Sequence, residues 1–283
     1  MKVTVYLVTF NRKILLERAI LSVIKQTYKN IELIVVDDCS SDGTKEFLES
    51  KFEEYNCQIN FRFYINDKNK GACYSRNKAI KKAYGEFITG LDDDDYFLPE
   101  RIEKFVAVWP NKEKRVKHLF SNYRILSVDN PSETLRSKVV KQSDLFRANH
   151  IGNQLFTKKE NLLAIGGFDE SMPAWQDLEC WYRLLKYGDA ECIEDVTYVF
   201  DCSHPHERIS TSNIKKIFNA SKKFKIKHGC NWVEKNRLDN QLISYKFNFL
   251  LYVKCFVVFL LSLDWKGIKN LHSRIIRVLG LTK

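Results

Sequence analysis

Short apolar runs alternate with helix-period stripes along the first hundred residues. Residues 3–9, VTVYLVT, read as a strand, after which Ile14, Leu15, Ala19, Ile20, Val23 and Ile24 recur at helical spacing, with Thr9 or Asn11 able to cap that helix. Residues 31–36 form a second apolar strand that ends in Asp37 and Asp38. The polar turn DDCSSDGT then offers Ser41 and Asp42 as caps, and the pattern predicts a helix to about Tyr55. A strand at 60–65, a helix over 71–84 and a strand at 86–91 complete the series. Strands alternating with helices imply right-handed crossovers, hence an α/β fold with a Rossmann-like, mostly parallel sheet flanked by helices. Ligands of such sheets bind outside the carboxyl ends of the strands, so residues 9–12, Asp37 with Asp38, and the acids after the fourth strand are predicted to share one edge.

The fourth strand carries the most pointed chemistry. The stretch GEFITGLDDDDYFLP, residues 85–99, passes from apolar residues into four carboxylates, Asp92 to Asp95. Two ionised carboxylates about 4 Å apart repel by roughly 4 kcal/mol at an effective dielectric of about 20, so a cluster on a rigid strand end favours a bound cation. Oxygen ligands suit Mg²⁺ or Mn²⁺. The structural alternative is a solvated acidic loop that caps a helix starting near Pro99. The first turn reads TFNRK rather than the G-x-G-x-x-G of a dinucleotide site, and a P-loop is also missing. A metal is therefore the favoured partner for a phosphate.

Past residue 100 the pattern loosens. A strand is predicted at 116–121, a polar hairpin or insertion over 123–140, and a return to the sheet at 151–157. Gly166, Gly167 and Phe168 make a turn into a loop presenting Trp175 to Asp177, and Leu178, Trp181, Leu184 and Leu185 form a helical stripe. Charge then divides the chain. The net +11 is concentrated from residue 211 onward, where 15 Lys and Arg face 3 Asp and Glu, leaving 31 basic and 32 acidic residues before it. Two domains are expected: a near-neutral body, 1–210, and a basic helical C-terminal region, 211–283.

In that region, residues 214–228 interleave lysines with Ile214, Ile217, Phe218, Phe224 and Ile226, as a basic amphipathic helix would. Residues 247–263, FNFLLYVKCFVVFLLSL, are very apolar, yet Asn248 and Lys254 interrupt them and they fall short of the roughly 20 residues a spanning helix needs. The preferred reading is a helix at a membrane interface, followed by the basic segment 265–278; the alternative is a core helix or a homo-oligomer contact. No nucleic-acid recognition motif accompanies the charge, so nucleic acid is not expected as a partner. Eight cysteines occur singly, without C-x-x-C spacing, as in a reduced compartment. The first residues enter a strand directly, with no signal-peptide h-region. The expected location is cytoplasmic, peripheral at the inner face of the cytoplasmic membrane.

The run VTFNRKILLERAILSVIKQTYKNIELIVVDDCSSDGT, followed by NKGACYSRNKAIKKAYGEFITGLDDDD, resembles the N-terminal half of family 2 nucleotide-sugar glycosyltransferases of the GT-A fold, and the likeness extends to about Ser210. The resemblance implies that Asp38 meets the nucleotide base with Thr9 lining the same pocket. It places Arg76 near the donor's phosphates or base, and makes Asp92 and Asp94 the outer members of a DXD motif that meets ribose and metal. Asp95 matches an additional Asp common in the family. After the G-G-F-D turn the family carries Glu-Asp; here Gln176 replaces the Glu, leaving Asp177 as candidate base, with Glu179 a weaker one. In the loop DCSHPHERIS, His204 or His206 is a candidate metal ligand, and Arg208 could neutralise diphosphate charge.

The implied activity is metal-dependent, inverting transfer of a sugar from a nucleotide sugar, a UDP-sugar foremost, to a hydroxyl of a glycan or lipid-linked sugar acceptor, in lipopolysaccharide O-antigen or capsule synthesis. The substitution at Gln176 keeps open a catalytically degenerate nucleotide-binding module. A nucleotide-sugar hydrolase, with Asp177 activating water, is the remaining alternative.

Overall fold

The computed structural model describes residues 1–127, 132–134, 139–152, 155–204 and 214–278. They form two compact units. The first comprises Met1–Lys141, Ile151–Glu170 and Cys180–His204; the second comprises Gln142–His150, Ser171–Glu179 and Pro205–Lys283.

The first unit opens with β1 (Val3–Thr9), α1 (Lys13–Ile24), β2 (Ile31–Asp37), α2 (Thr44–Asn56), β3 (Asn60–Ile65), α3 (Ala72–Lys82) and β4 (Phe87–Asp92), the alternation the pattern predicts. Both β1 and β2 are buried along their whole length, because helices cover both faces of a parallel sheet, and their sequences accordingly read as unbroken apolar runs. There follow β5 (Tyr96–Phe97), α4 (Arg101–Val108), β6 (Val116–Leu126), β7 (Ser132–Thr134), β8 (Val139–Val140), β9 (Phe156–Lys158), α5 (Lys159–Ala164), α6 (Gln176–Leu184) and β10 (Asp189–Asp201). The first turn of α6 belongs to the second unit.

One sheet runs in the order β3-β2-β1-β4-β9-β6-β10-β5, with β7 beside β6 and β8 beside β10. Its long pairings, β1 with β2 and β4, β2 with β3, and β6 with β10, are parallel, and the short ones are antiparallel. Phe156 stacks on Phe87 and Phe105 at 5.2 and 5.0 Å, closing a core that includes Leu7, Leu16, Ile20 and Leu33. Because β1 lies between β2 and β4, the order of connection reverses there, and the register sets Thr9 opposite Asp37 and Val8 opposite Asp92. The predicted convergence of strand ends on one edge is thus a consequence of pairing.

Four local expectations are corrected. Neither Thr9 nor Asn11 caps α1: the cap position is Arg12 without a side-chain bond, while Asn11 (φ 54) is tied to the next turn, its N–H donating to Ser40 Oγ at 2.8 Å and its Oδ1 accepting from Ser41 N–H at 2.7 Å. The cap position of α2 is Gly43 rather than Ser41 or Asp42, although Asp42 still accepts from the N–H groups of Thr44 and Lys13. The sixth strand does not stop at Ser121 but runs to Leu126, since β10 pairs with it that far and Ser132–Thr134 folds back antiparallel on Tyr123, Arg124 and Ile125. The return to the sheet is a strand only over Phe156–Lys158, which bridges β4 and β6 at Phe87, Ile88, His118 and Leu119.

The second unit is helical: α7 (Ile214–Lys227), α8 (Trp232–Ile243), α9 (Phe249–Leu261) and α10 (Trp265–Val278). A capping box starts α8, with Asn231 accepting from the N–H groups of Val233 and Glu234, and Glu234 accepting from the Asn231 N–H. Ile243, Cys255, Phe259 and Leu271 form a small core between these helices. Among the described residues no helix is long and apolar enough to cross a membrane. All eight cysteines are free thiols.

Candidate functional site

The edge at which β1, β2 and β4 end collects most of the residues singled out from the sequence. Carboxylate oxygens of Asp92, Asp94 and Asp95 all lie within 4.8 Å of one another, a spacing that one cation can bridge. The donor set is entirely oxygen, so the residues fit Mg²⁺ or Mn²⁺. Asp95 is the most constrained of the three: fully buried, it accepts from the Tyr198 hydroxyl at 2.5 Å and from the Asp201 N–H at 3.0 Å. Burial, reinforced by the Asp95 charge, raises the Tyr198 phenol well above its ordinary pKa, so Tyr198 donates as a neutral hydroxyl. Asp92 and Asp94 are therefore the better placed to be direct ligands, with Asp95 fixing the turn.

Asp93 has the opposite task. Its side chain accepts from Thr9 Oγ1 at 2.8 Å and from Arg12 at 3.0 Å, and the same Arg12 nitrogen lies 3.0 Å from Asp94 Oδ2. Burial pushes the Asp93 carboxyl up to about 6 although Arg12 pulls it down. Arg18 braces the turn from α1, donating to the Asp94 carbonyl at 2.7 Å and to the Asp201 carboxylate. Despite burial, which raises it, hydrogen bonds from Ser203 and Arg18 hold the Asp201 carboxyl below its usual range.

Arg76, nearly buried on α3, donates to Asp92 Oδ1 at 3.2 Å and lies 5.2 Å over the Phe168 ring. Its neighbour Asn77 clasps the G-G-F-D turn, Oδ1 accepting from the Phe168 N–H at 2.8 Å and Nδ2 donating to the Phe168 carbonyl at 2.9 Å. Gly166 and Gly167 have φ of 77 and 73, and a Cβ on Gly167 would stand 2.3 Å from Asn77 Oδ1, so both backbone conformation and space require glycine there. Asp38 is a loop anchor as well as a strand-end acid: it accepts from Asn66 Nδ2 at 2.7 Å, the Lys70 N–H at 2.9 Å and the Gly71 N–H at 2.7 Å. His204 Nε2 lies 3.5 Å from Asp94 Oδ2. His206 and Arg208 lie outside the described residues.

In the second unit, Asp177 stands in the first turn of α6, where a carboxylate also favours the helix dipole. The Glu179 N–H bonds the Trp175 carbonyl at 2.9 Å, so Trp175 begins the helix, and does so with φ 56. Glu179 is fully buried, with Lys227 Nζ at 2.7 Å and His228 Nε2 at 3.1 Å. Its surroundings make it an anchor for the helix that carries Asp177. Of the four non-glycine residues with positive φ among the described residues, Asn11 and Cys39 lie two positions after the ends of β1 and β2, and Trp175 lies two before Asp177. Such conformations cost of order 1–3 kcal/mol each and gather at functional sites.

Sequence reasoning placed Arg12 on the shared edge without a role of its own, and missed Arg18, Asn77, Tyr198 and Asp201. Arg12 stood inside the TFNRK turn and Asn77 inside the R-N pair, so both had a local signal. Arg18, Tyr198 and Asp201 had none, since their contacts join strands and helices distant in the chain.

Comparison with known proteins agrees with this geometry. A family described as Glycosyl transferase family 2 matches residues 4–116. WcaA of Escherichia coli K12, named as a glycosyl transferase of colanic acid biosynthesis, is 34% identical over 241 residues, covering 80% of this chain and 81% of the relative. The Escherichia coli UDP-Glc:alpha-D-GlcNAc-diphosphoundecaprenol beta-1,3-glucosyltransferase WfgD is 28% identical over 228 residues, covering 79% and 81%. Among solved structures, S. aureus TarS 1–349 in complex with UDP-GlcNAc superposes with a TM-score of 0.68 at 18% identity, covering 91% of this chain and 79% of that one. The mannosyltransferase PcManGT from Pyrobaculum calidifontis, in complex with GDP-Man and Mn²⁺, gives 0.64 at 18% identity, covering 100% and 81%. Those two likenesses establish the GT-A fold. The chain is a glycosyltransferase and belongs to glycosyltransferase family 2.

Proposed function

We propose that this enzyme transfers a sugar from a UDP-sugar, with inversion, to a hydroxyl of a glycan or lipid-linked sugar acceptor during assembly of a bacterial surface polysaccharide. The observation that carries the reading is the meeting of Thr9, Asp38, Arg76, Asp92 and Asp94 at the strand edge where the sheet order reverses. Asp38 favours uracil for a countable reason: a carboxylate has about four acceptor sites, and Asn66, Lys70 and Gly71 use three. One acceptor remains, which suits the single imide N–H of uracil.

Asp92 and Asp94 would hold Mn²⁺ or Mg²⁺, with His204 beside Asp94 as a further candidate ligand. When bound, such an ion offsets the charge that builds on the departing diphosphate. Arg76 adds a fixed guanidinium on the same edge. In the single displacement the acceptor oxygen forms a bond to the anomeric carbon as the carbon–oxygen bond to diphosphate breaks. The hydroxyl proton passes to Asp177, and the configuration inverts. The acceptor class and the setting are supported by the names of the relatives, two of which specify a diphosphoundecaprenol or PP-undecaprenol acceptor and one colanic acid biosynthesis. Work on a lipid-linked acceptor implies a peripheral position on the inner face of the cytoplasmic membrane.

Calorimetric titration of UDP, with and without Mn²⁺, tests the donor site. UDP is expected to bind in the presence of metal, and Asp94→Asn to weaken that binding at least about tenfold. Folded protein that binds no UDP under either condition would refute the donor assignment.

A further inference from the structure

The fold leaves an apolar face of α9 in solvent. The inward positions Cys255 and Phe259 join Ile243 and Leu271 in the small core of the helical unit. The opposite stripe, Phe249, Leu250, Val253, Val257, Leu260 and Leu261, is exposed, Leu250 at 79% and Leu261 at 73%. Those positions recur at helical spacing and so make one continuous face. The connection to α10 extends it, with Leu263 73% and Trp265 67% exposed.

Leu263 sharpens the point. It follows α9 with φ 53, and the next N–H, that of Asp264, returns to the Phe259 carbonyl at 2.9 Å. This is a left-handed helix C-terminus, where glycine or asparagine is the usual residue and leucine costs about 1–2 kcal/mol. A leucine occupies this strained position although its side chain stands outside the core. The turn that presents it is rigid: Asp264 accepts from Arg147 at 2.9 Å, Arg237 at 2.7 Å and the Gly267 N–H at 3.0 Å. Burial raises the Asp264 carboxyl, but those bonds outweigh it and hold the group below its ordinary value, charged and fixed. A Cβ on Gly267 would fall 2.7 Å from the Phe259 ring, so the two helices of the hairpin pack closely.

Charge borders the apolar face. Lys246 is exposed just before α9, and Lys266, Lys269 and Arg277 are exposed on one side of α10, with Lys269 one turn beyond Trp265. We propose that the α9–α10 hairpin docks on an anionic phospholipid surface. The α9 stripe and the Leu263–Trp265 tip enter the interfacial layer, and these four cations meet the head groups. A helix of 13 residues, about 20 Å long, lies in the plane of such a surface rather than across it. A second copy of the chain fits less well, because a two-fold contact through this face would bring its cations together. The proposal deepens the preceding reading by naming the surface that brings the enzyme to a lipid-linked acceptor.

Sedimentation of the full chain with vesicles of phosphatidylcholine, alone or mixed with phosphatidylglycerol, tests it, with UDP binding measured on the same samples. Binding is expected to the mixed vesicles, to weaken with salt, and to fall at least about tenfold in Leu250→Asp/Leu261→Asp. Leu263→Gly separates docking from folding: it relieves the cap, so Tm holds or rises, while vesicle affinity drops about threefold or more. Absence of binding to mixed vesicles, or undiminished binding of the double variant, overturns the proposal. So does a wild-type dimer that the double variant converts to monomer. Retained UDP binding without vesicle binding defeats the docking face alone, and the converse defeats the donor site alone.

Discussion

Buried acid is handled in opposite ways in the two units. In the helical unit each buried carboxylate among the described residues is paired: Glu179 with Lys227, beside the His228 imidazole, Asp239 with Lys225 and Lys254, Asp264 with Arg147 and Arg237. At the end of β4 the ratio is inverted: Arg12 is shared between Asp93 and Asp94 and Arg76 meets Asp92, two guanidinium groups for four carboxylates. A carboxylate bracketed by cations is already neutralised and serves as a strut. A strand end with more acid than base keeps an affinity for a further cation, and that is the physical distinction on which the proposed site rests.

Substitutions that remove charge without changing shape test the distinction most sharply. Asp177→Asn is expected to lower kcat by about 10²–10⁴ with little change in UDP affinity, because it removes a proton acceptor rather than a donor contact. Steady-state kinetics beside calorimetry checks it, and unchanged kcat would reassign the base. Next, Asp264→Asn should cost about 3 kcal/mol in urea unfolding, since it strands Arg147 and Arg237 partly buried. Asp92→Asn should do the reverse, abolishing the metal dependence of UDP binding while leaving stability the same or higher, because it relieves repulsion within the cluster. If both variants proved equally destabilised, the contrast between strut and site would fail.

Acid separates the units more gently. His118, buried in β6 against Thr157, has its imidazole pushed down to about 3 by burial, from an ordinary value of 6.5. A group whose folded pKa is depressed stabilises above the unfolded pKa and loses that contribution as pH falls. The sheet unit should therefore weaken below about pH 6.5, by about 2 kcal/mol near pH 5. Asp264, also depressed, holds its contribution until pH drops below 3.8. Thermal melts from pH 7 to 5 should show the wild-type sheet weakening and His118→Gln weakening less.

An effect of similar size is expected at the clasp. Gly167→Ala should cost about 1–3 kcal/mol through its positive φ and its contact with Asn77, and should raise KM more than it lowers kcat, because the turn beside Arg76 shifts. An unchanged Tm would show that the turn adapts.

The alternation of strand and helix through β4, the acidic strand ends, the basic C-terminal helices and the resemblance to family 2 could all be read from the chain, because each is written in local period, charge or contiguous motif. The placement of Thr9, Asp38, Asp92 and Asp94 on one strand edge was legible for that reason, and Arg76 was singled out by its motif. What the tertiary structure decided is how each acid is used. Only the fold shows that Asp95 is held by Tyr198 and Asp201, that Asp93 is held by Thr9 and Arg12, and that Glu179 is a strut between Lys227 and His228. The same holds for the outward stripe of α9 and the strained leucine at its end: an apolar run states that a helix will bury something, whereas the packing of Cys255 and Phe259 decides which face is left for a partner. Pairing between residues tens of positions apart leaves no periodic trace in sequence, and the charge balance of a site is set by those pairings.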